Sequence, residues 1–142
     1  MDINNEDRDL PIPQTKKVFV YGTLKSDCCN NAVMQKLGAE FLYKTETKYG
    51  HFMFKSKRYF PFLQKAPLGE GKIIKGEIWE VPTSQMDELD WFEGVPELYT
   101  RSRILVKEPY LDQVFLAVCY IKSNRLTENQ LKHKEFISEW IE

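Results

Sequence analysis

Short segments rich in β-branched and aromatic residues are the feature that most constrains how this chain folds. Such residues favour strands, because their side chains pack well on a pleated surface. Residues 73–81 also alternate apolar and polar positions, and Gly76 within them indicates a bulge or a close backbone approach. Further strands are predicted at residues 18–21, 41–49, 103–106 and 114–121, with two short pieces in 50–72. The chain is therefore predicted to be rich in strands.

Three helices are predicted among these strands. The first occupies residues 31–37, after a capping asparagine and before Gly38. The second follows Thr83 or Ser84 and repeats apolar residues at every third position. The third opens with a capping box at residues 127–130 and carries an apolar stripe of Phe136, Ile137, Trp140 and Ile141. These elements predict an α+β protein with helices outside a strongly curved sheet or small barrel.

The length of 142 residues is that of one ordinary domain, and it is long enough to bury a core. We predict a single domain over residues 16–142. Residues 1–15 are charged, contain two prolines and show no sustained periodicity, which predicts a flexible N-terminal tail.

Charge and composition argue against several classes of partner. The formal net charge of −1 gives no electrostatic case for nucleic acid or an anionic membrane. No apolar run approaches the roughly 20 residues of a membrane span, and the acidic N-terminus is unlike a secretory signal. Basic and aromatic residues occur together at 55–60, as in proteins that bind single-stranded nucleic acid. Because the net charge of the chain is close to zero, a solvated loop is the favoured interpretation of this segment. A small β-barrel that binds single-stranded nucleic acid is therefore a disfavoured alternative.

Histidines and cysteines do not predict a metal or cofactor site. His51 and His133 are isolated, which favours surface histidines. Residues 28–29 are adjacent cysteines without a nearby histidine, so small buried residues are the favoured interpretation. The odd total of three cysteines favours a reduced, cytoplasmic protein. Core or pocket-wall positions are predicted for Trp79 and Trp91.

Residues 21–24 join the first strand to a glycine turn and are a candidate anion site. Consecutive backbone N–H groups at such a turn form a concavity that binds carboxylates or oxyanions. The alternative is an ordinary turn, because glycine is a common turn former. The segment contributes Tyr21, Gly22, Thr23 and Leu24 as candidate substrate-binding residues.

Glu93 is a candidate general base. It follows an apolar helical stretch and precedes Gly94, where desolvation would raise its pKa toward neutrality. A solvent-facing glutamate is the alternative, and Glu97 competes for the same role, since periodicity does not separate the two. A buried hydroxyl, of Tyr99 or Tyr120, is expected near the same pocket. Backbone donors and a buried base together predict an enzyme.

Three motifs resemble the γ-glutamylcyclotransferase superfamily, in particular its γ-glutamylamine cyclotransferase-like branch. They are Val-Tyr-Gly-Thr-Leu-Lys at 20–25, Gly-Glu-Ile-Trp at 76–79, and Leu-Asp-x-Phe-Glu-Gly-x-Pro-x-x-Tyr-x-Arg at 89–101. The resemblance covers roughly residues 17–121. It implies a small mixed β-barrel with peripheral helices.

The resemblance also implies an activity. Members convert a small γ-glutamyl compound into 5-oxoproline and a free amine or amino acid, without metal or organic cofactor. It implies that Glu93 is the general acid and base, and that residues 21–24 hold the γ-glutamyl group. We also predict that Tyr99 is a substrate-binding residue.

Two positions depart from the family pattern. Many relatives carry arginine-glycine after the first motif, where this chain has Ser26 and Asp27, and a histidine where this chain has Asn31. The missing arginine leaves substrate preference open. A non-catalytic domain of the same fold, which binds a small ligand or a partner, is the alternative function. The leaving amine and the oligomeric state are not predicted; loops at 50–70 and 107–113 are candidates for selecting the leaving group.

Overall fold

The computed structural model describes residues 13–142, so most of the predicted tail lies outside the described residues. Seven strands are present: β1 (Thr15–Val20), β2 (Glu40–Glu46), β3 (His51–Lys55), β4 (Pro61–Lys65), β5 (Lys75–Pro82), β6 (Tyr99–Glu108) and β7 (Gln113–Lys122). Three short α-helices accompany them: α1 (Asn31–Lys36), α2 (Met86–Phe92), preceded by a 3₁₀ turn at Thr83–Gln85, and α3 (Glu128–Leu131). No helix within residues 13–142 has the length and apolar character needed to cross a membrane.

Five strands form one mixed sheet in the order β2-β5-β1-β7-β6, and β3 pairs with β4 in a separate two-stranded sheet. β1 runs parallel to β7, while the other pairs are antiparallel. The two edge strands approach each other beyond the end of β2, where Thr47 forms an isolated bridge with Val106. The α+β class is confirmed. The described residues form this curved sheet without closing it into a barrel.

β1 lies at the centre of two hydrophobic clusters. Val18 and Val20 point to one side of the sheet, where they pack with Trp79 and Leu89. Phe19 points to the other side and packs with core residues from β3, β4, β5, β6 and β7. Successive side chains of a strand alternate between faces, so one short segment serves both clusters. The strand predicted from residue 18 is therefore buried on both faces.

Gly76 makes the close backbone approach that its position in a strand predicted. A Cβ atom there would lie 2.5 Å from the Val20 carbonyl oxygen and 2.6 Å from the Phe19 ring. Any side chain would therefore push β5 away from β1. The glycine lets these two central strands lie close together next to the end of β1.

The predicted third helix is mostly wrong. The capping box is confirmed, with the Thr127 hydroxyl accepting the N–H of Gln130, but α3 ends at Leu131. Beyond it, the chain returns along β3 in irregular conformation. The Phe136 ring stacks on Phe52 of the small sheet with centroids 4.8 Å apart, whereas Ile141, from the same predicted stripe, is 78% exposed.

For His51 and Trp91, the exposure of the side chain is the opposite of that predicted. His51 is buried, not on the surface, because the pairing of β3 turns its ring inward, where Nδ1 lies 2.9 Å from the Tyr49 carbonyl oxygen. Burial lowers the pKa of His51 below its ordinary value. Trp91 is 80% exposed on the outer face of α2, so the prediction of a core or pocket wall holds only for Trp79.

Two predictions of local structure are wrong, and at both places the structure has a contact with a residue distant in the sequence. Neither Thr83 nor Ser84 caps the helix, and the Thr83 hydroxyl donates to the carbonyl of Pro13 instead. Cys28 is half-buried and Cys29 is exposed, contrary to the predicted burial. The backbone N–H of Cys29 instead donates to the carboxylate of Glu142.

Thr47 provides a test of how the edges of the sheet are held. Its fully buried hydroxyl donates to the Tyr49 carbonyl and accepts the Ile74 N–H at 3.0 Å. Thr47→Val keeps the side-chain shape but leaves the Ile74 N–H unpaired, so we expect about 1–3 kcal/mol loss of unfolding free energy in urea. Thr45→Val is the matched control. Its hydroxyl bond to Lys107 is exposed, so its loss should stay under about 1 kcal/mol. Equal losses of unfolding free energy in the two variants would show that the buried bonds of the Thr47 hydroxyl do not hold the edges of the sheet.

Candidate active site

A cavity lies where the chain leaves the C-terminal end of β1. Its volume is about 360 Å³ including the open mouth. The lining residues are Phe19, Val20, Tyr21, Gly22, Thr23, Leu24, Phe60, Pro61, Glu93, Tyr99 and Tyr120. All of the site residues predicted from the sequence therefore meet at one cavity. Within residues 13–142, no cluster of three or more side chains is arranged to hold a metal ion.

Gly22 allows the two walls of the cavity to touch. A Cβ atom at this position would lie 2.8 Å from the Pro61 ring, at the start of β4. The Gly22 carbonyl accepts the N–H of Lys25 at 3.1 Å, which closes the turn. A larger residue would force the turn away from Pro61. Glycine is therefore required here by close approach.

The carbonyl groups of the turn are bound from the side of α1. Asn30 donates its backbone N–H to the Thr23 carbonyl at 2.9 Å and its side-chain amide to the Thr23 hydroxyl at 3.1 Å. Asn31 donates its side-chain amide to the Leu24 carbonyl at 2.9 Å. The N–H groups of Thr23 and Leu24 have no protein acceptor among residues 13–142. These two donors are therefore free to bind an anionic group, and their residues line the cavity.

Glu93 ends α2 on the opposite side of the cavity. Its backbone N–H closes the helix on Leu89, and Gly94 then turns the chain away with a φ of 67°. The half-buried side chain has no hydrogen-bond partner among the described residues. Burial of the carboxyl, and after it the negative charge of Asp90, raise the pKa of Glu93 to about 8. A carboxyl with this proton affinity is suited to general acid and base chemistry near neutral pH.

The structure separates Glu93 from Glu97, which the sequence pattern alone left as competitors. Glu97 lies in the exposed connection between α2 and β6 and is not among the residues that line the cavity. Glu93 lines it directly. Of the two glutamates, only Glu93 is placed to reach a molecule in the cavity.

Three tyrosines, Tyr21, Tyr99 and Tyr120, are walls of the cavity, and hydrogen bonds hold them in place. The Tyr21 hydroxyl donates to the Tyr120 carbonyl, and the Tyr99 hydroxyl donates to the Pro61 carbonyl at 2.6 Å. Burial raises the pKa of Tyr99 and of Tyr120 well above the usual range, so both phenols stay protonated. The expectation of a phenol near the pocket is confirmed by both residues. Because these hydroxyl groups are bonded, the rings are fixed as walls.

Asp90 and Arg101 hold α2 against the sheet, a role that sequence reasoning missed. Arg101 binds both carboxylate oxygens of Asp90, with Nε 3.0 Å from Oδ1, and the Tyr120 hydroxyl donates to the same Oδ1 at 2.6 Å. This bidentate geometry is the strong form of an ion pair. The sequence did carry a signal for Asp90. It precedes Glu93 by three residues, a spacing that places both side chains on one face of the helix.

Glu77 is a second residue that was missed. It is 3% exposed and comes from the centre of β5. Its carboxylate accepts the backbone N–H of Ser26 at 2.8 Å, the Ser26 hydroxyl at 2.6 Å and the indole N–H of Trp79 at 3.0 Å. Three donors compensate for the cost of burying the charge. Ser26 thus ties the end of the cavity turn to the central sheet.

These features place the chain in a known family. The sequence model of the family described as gamma-glutamyl cyclotransferase, AIG2-like, matches residues 18–141. The chain belongs to this family. The predicted resemblance is confirmed.

Curated relatives and solved structures agree. The chain is 37% identical over 94 residues to gamma-glutamylaminecyclotransferase C of Danio rerio, covering 63% of this chain and 61% of the relative. It is 32% identical over 94 residues to gamma-glutamylaminecyclotransferase of Homo sapiens, with the same coverage of 63% and 61%. The chain thus spans about three fifths of the length of the curated relatives it matches. A crystal structure of an AIG2-like protein from Mus musculus shares the fold, with a TM-score of 0.80, 24% identity and coverage of 91% and 90%.

The raised pKa of Glu93 predicts how stability depends on pH. In the unfolded chain this carboxyl ionises near its ordinary value of 4.5, whereas in the folded protein it ionises near 8. Between these values the native state binds more protons, so Glu93 lowers stability as the pH rises. Glu93→Gln removes this effect. The melting temperature of the variant minus that of the parent should therefore increase from pH 4.5 to pH 8.

The control for this measurement is Glu97→Gln. Its side chain is exposed, so its difference from the parent should stay constant over the same range of pH. Thermal unfolding followed by circular dichroism measures both variants. A Glu93→Gln difference that does not change with pH would show that the Glu93 carboxyl is not desolvated.

Proposed function

We propose that this protein is a γ-glutamylcyclotransferase, which releases 5-oxoproline and a free amine or amino acid from a small γ-glutamyl compound. Membership of the family and the names of the curated relatives support this activity. The single observation that carries the proposal is the cavity itself. It sets the Glu93 carboxyl, with a pKa raised to about 8, opposite the free N–H groups of the turn at 21–24.

The first step moves a proton to Glu93. The α-amine of the substrate arrives as an ammonium and must lose a proton before it attacks its own γ-carbonyl carbon. The Glu93 carboxylate accepts that proton, and the free amine then forms the new C–N bond of the five-membered ring. Both reacting groups belong to one molecule, so orientation by the cavity walls replaces a bimolecular encounter. Tyr21 and Tyr99 are the walls that we assign to substrate binding.

The second step stabilises charge and returns the proton. Ring closure places a negative charge on the former carbonyl oxygen, and the N–H groups of Thr23 and Leu24 are the donors that we assign to it. Collapse of this intermediate breaks the bond to the leaving amine, and Glu93 delivers its proton to the departing nitrogen. The carboxylate then takes the second proton of the new ring nitrogen and passes it to the released amine, which leaves as an ammonium. The sequence is redox-neutral and regenerates the carboxylate, so its chemistry calls for no cofactor.

We assign the activity to one catalytic domain over residues 16–142. Residues 13–15 adjoin it, since Thr15 opens β1 and the Pro13 carbonyl accepts the Thr83 hydroxyl. The cytoplasm is the compartment that we propose, since Cys28, Cys29 and Cys119 are all free thiols, which fits a reducing environment.

Glu93→Gln tests the proposed role of the base. The amide keeps the shape of the side chain but accepts no proton from an ammonium. General base catalysis contributes roughly 10²–10⁴-fold, so kcat should fall by at least that order. The measurement is release of 5-oxoproline from a panel of γ-glutamyl amines and γ-glutamyl amino acids. Glu97→Gln, outside the cavity, should keep most of the parental kcat.

Two outcomes would contradict these assignments. Parental turnover by Glu93→Gln would exclude this residue as the base. If the parent protein releases no 5-oxoproline from any compound of the panel, the protein is not a cyclotransferase, and the alternative of a non-catalytic binding domain replaces the proposal.

A further inference from the structure

The last residues of the chain form a strap across the fold, which we define as residues 137–142. The Ile137 N–H donates to the Met53 carbonyl in β3 at 2.9 Å, and the Ser138 carbonyl accepts the N–H of Lys75 at 2.8 Å. Trp140 then enters the protein and is only 5% exposed. The strap therefore connects the small sheet to the start of β5 and ends beside the cavity turn.

Trp140 is hydrogen-bonded to the residue that follows the turn at 21–24. The Lys25 ammonium donates to the Trp140 carbonyl at 2.6 Å, and Lys25 is only 8% exposed. A second bond joins the same parts of the chain, since the N–H of Cys29 donates to the Glu142 carboxylate at 2.7 Å. The turn that supplies the free N–H groups is thus anchored on the strap.

Trp140 also touches the opposite wall of the cavity. Its indole packs edge-on against the Tyr59 ring, with centroids 6.4 Å apart and planes at 80°. Tyr59 directly precedes Phe60 and Pro61, which line the cavity. One buried residue therefore contacts both the β3–β4 connection and the turn.

The bond from Lys25 is not explained by stability alone. Burial of an ammonium is costly, and replacement of a buried charge by an apolar side chain of similar size is often neutral or stabilising. Methionine at this position would fill the same space without a charge. The contact between Lys25 and Trp140 fixes the direction of the turn, which an apolar contact would not do.

We propose that Lys25 and Trp140 are positioning residues for the cyclotransferase reaction. Their contact holds the N–H groups of Thr23 and Leu24 at the place where the oxyanion forms. This inference rests on the proposed function, because it needs an oxyanion for these groups to bind. Neither residue lines the cavity itself, so both act through the turn.

Lys25→Met tests this role in the full-length protein. Small misplacements of catalytic groups cost up to about 100-fold, so we expect kcat to fall by about 10- to 100-fold. The pH profile of kcat should keep its shape, because Glu93 is untouched. Hydrogen exchange followed by NMR should show exchange about tenfold faster at the N–H groups of residues 25 and 30, which donate to the Gly22 and Thr23 carbonyls and so report on the turn. The amides of β1 should remain protected as in the parent.

Phe136→Leu is the matched control. Phe136 lies next to the strap but stacks on Phe52, away from the turn. This change should lower the melting temperature and leave both kcat and the exchange of the N–H groups of residues 25 and 30 as in the parent. If Lys25→Met does not fold, Trp140→Phe replaces it. The smaller ring loses the indole N–H that donates to Glu142, and it should shift kcat and exchange in the same direction.

The outcomes are distinguishable. Parental kcat in Lys25→Met overturns the positioning role, and so does a fall in kcat without faster exchange at the turn. If the parent itself releases no 5-oxoproline, the proposed function fails. The exchange measurement then still decides whether the strap holds the turn, and unchanged exchange overturns that as well.

Discussion

The pairing of β1 between β5 and β7 is the interaction on which the rest of the structure depends. Val18 and Phe19 are almost completely buried on opposite faces of the sheet, and each such side chain contributes about 1.5–3 kcal/mol. A strand held on both edges and both faces has a fixed end. The turn that follows it therefore starts from a fixed point, and a wall of the cavity made of backbone keeps its shape without a ligand.

Two acidic residues of one short helix have opposite surroundings, and this difference supports the division of roles between them. Arg101 binds both carboxylate oxygens of Asp90, and the Tyr120 hydroxyl donates to one of them. Glu93, one turn later, has no such partner among residues 13–142, and burial raises its pKa to about 8. Neighbouring carboxyl groups in such different environments are a common arrangement in acid–base sites. Asp90 fixes the helix, and the unpartnered Glu93 carboxyl at the cavity fits the proposed role of the base.

Much of the fold could be predicted from the sequence because strand patterns and turns are local. Residues 18–24 were recognised as a strand ending in a glycine turn on this basis. Glu93 was separated from Glu97 only by resemblance to a family, and the cavity now gives the geometric reason. Local pattern failed where distant contacts decide. Thr127 correctly marked the start of α3, but packing of Phe136 on Phe52 ended the helix early. The bonds of Glu77 to Ser26 had no local signal, since Ser26 lies 51 positions away in the sequence.

The contacts around the cavity also have a consequence for how the chain folds. The Tyr21 hydroxyl bonds a carbonyl 99 positions away, and the Lys25 ammonium bonds one 115 positions away. Such distant pairings are formed late and slow the folding of small domains. The intervening chain must lose the entropy of loop closure before the contact stabilises the fold. The cavity therefore comes into existence only when nearly the whole chain is in place. A partly unfolded chain has no partial version of it, because residues from Phe19 to Tyr120 must come together to form its walls.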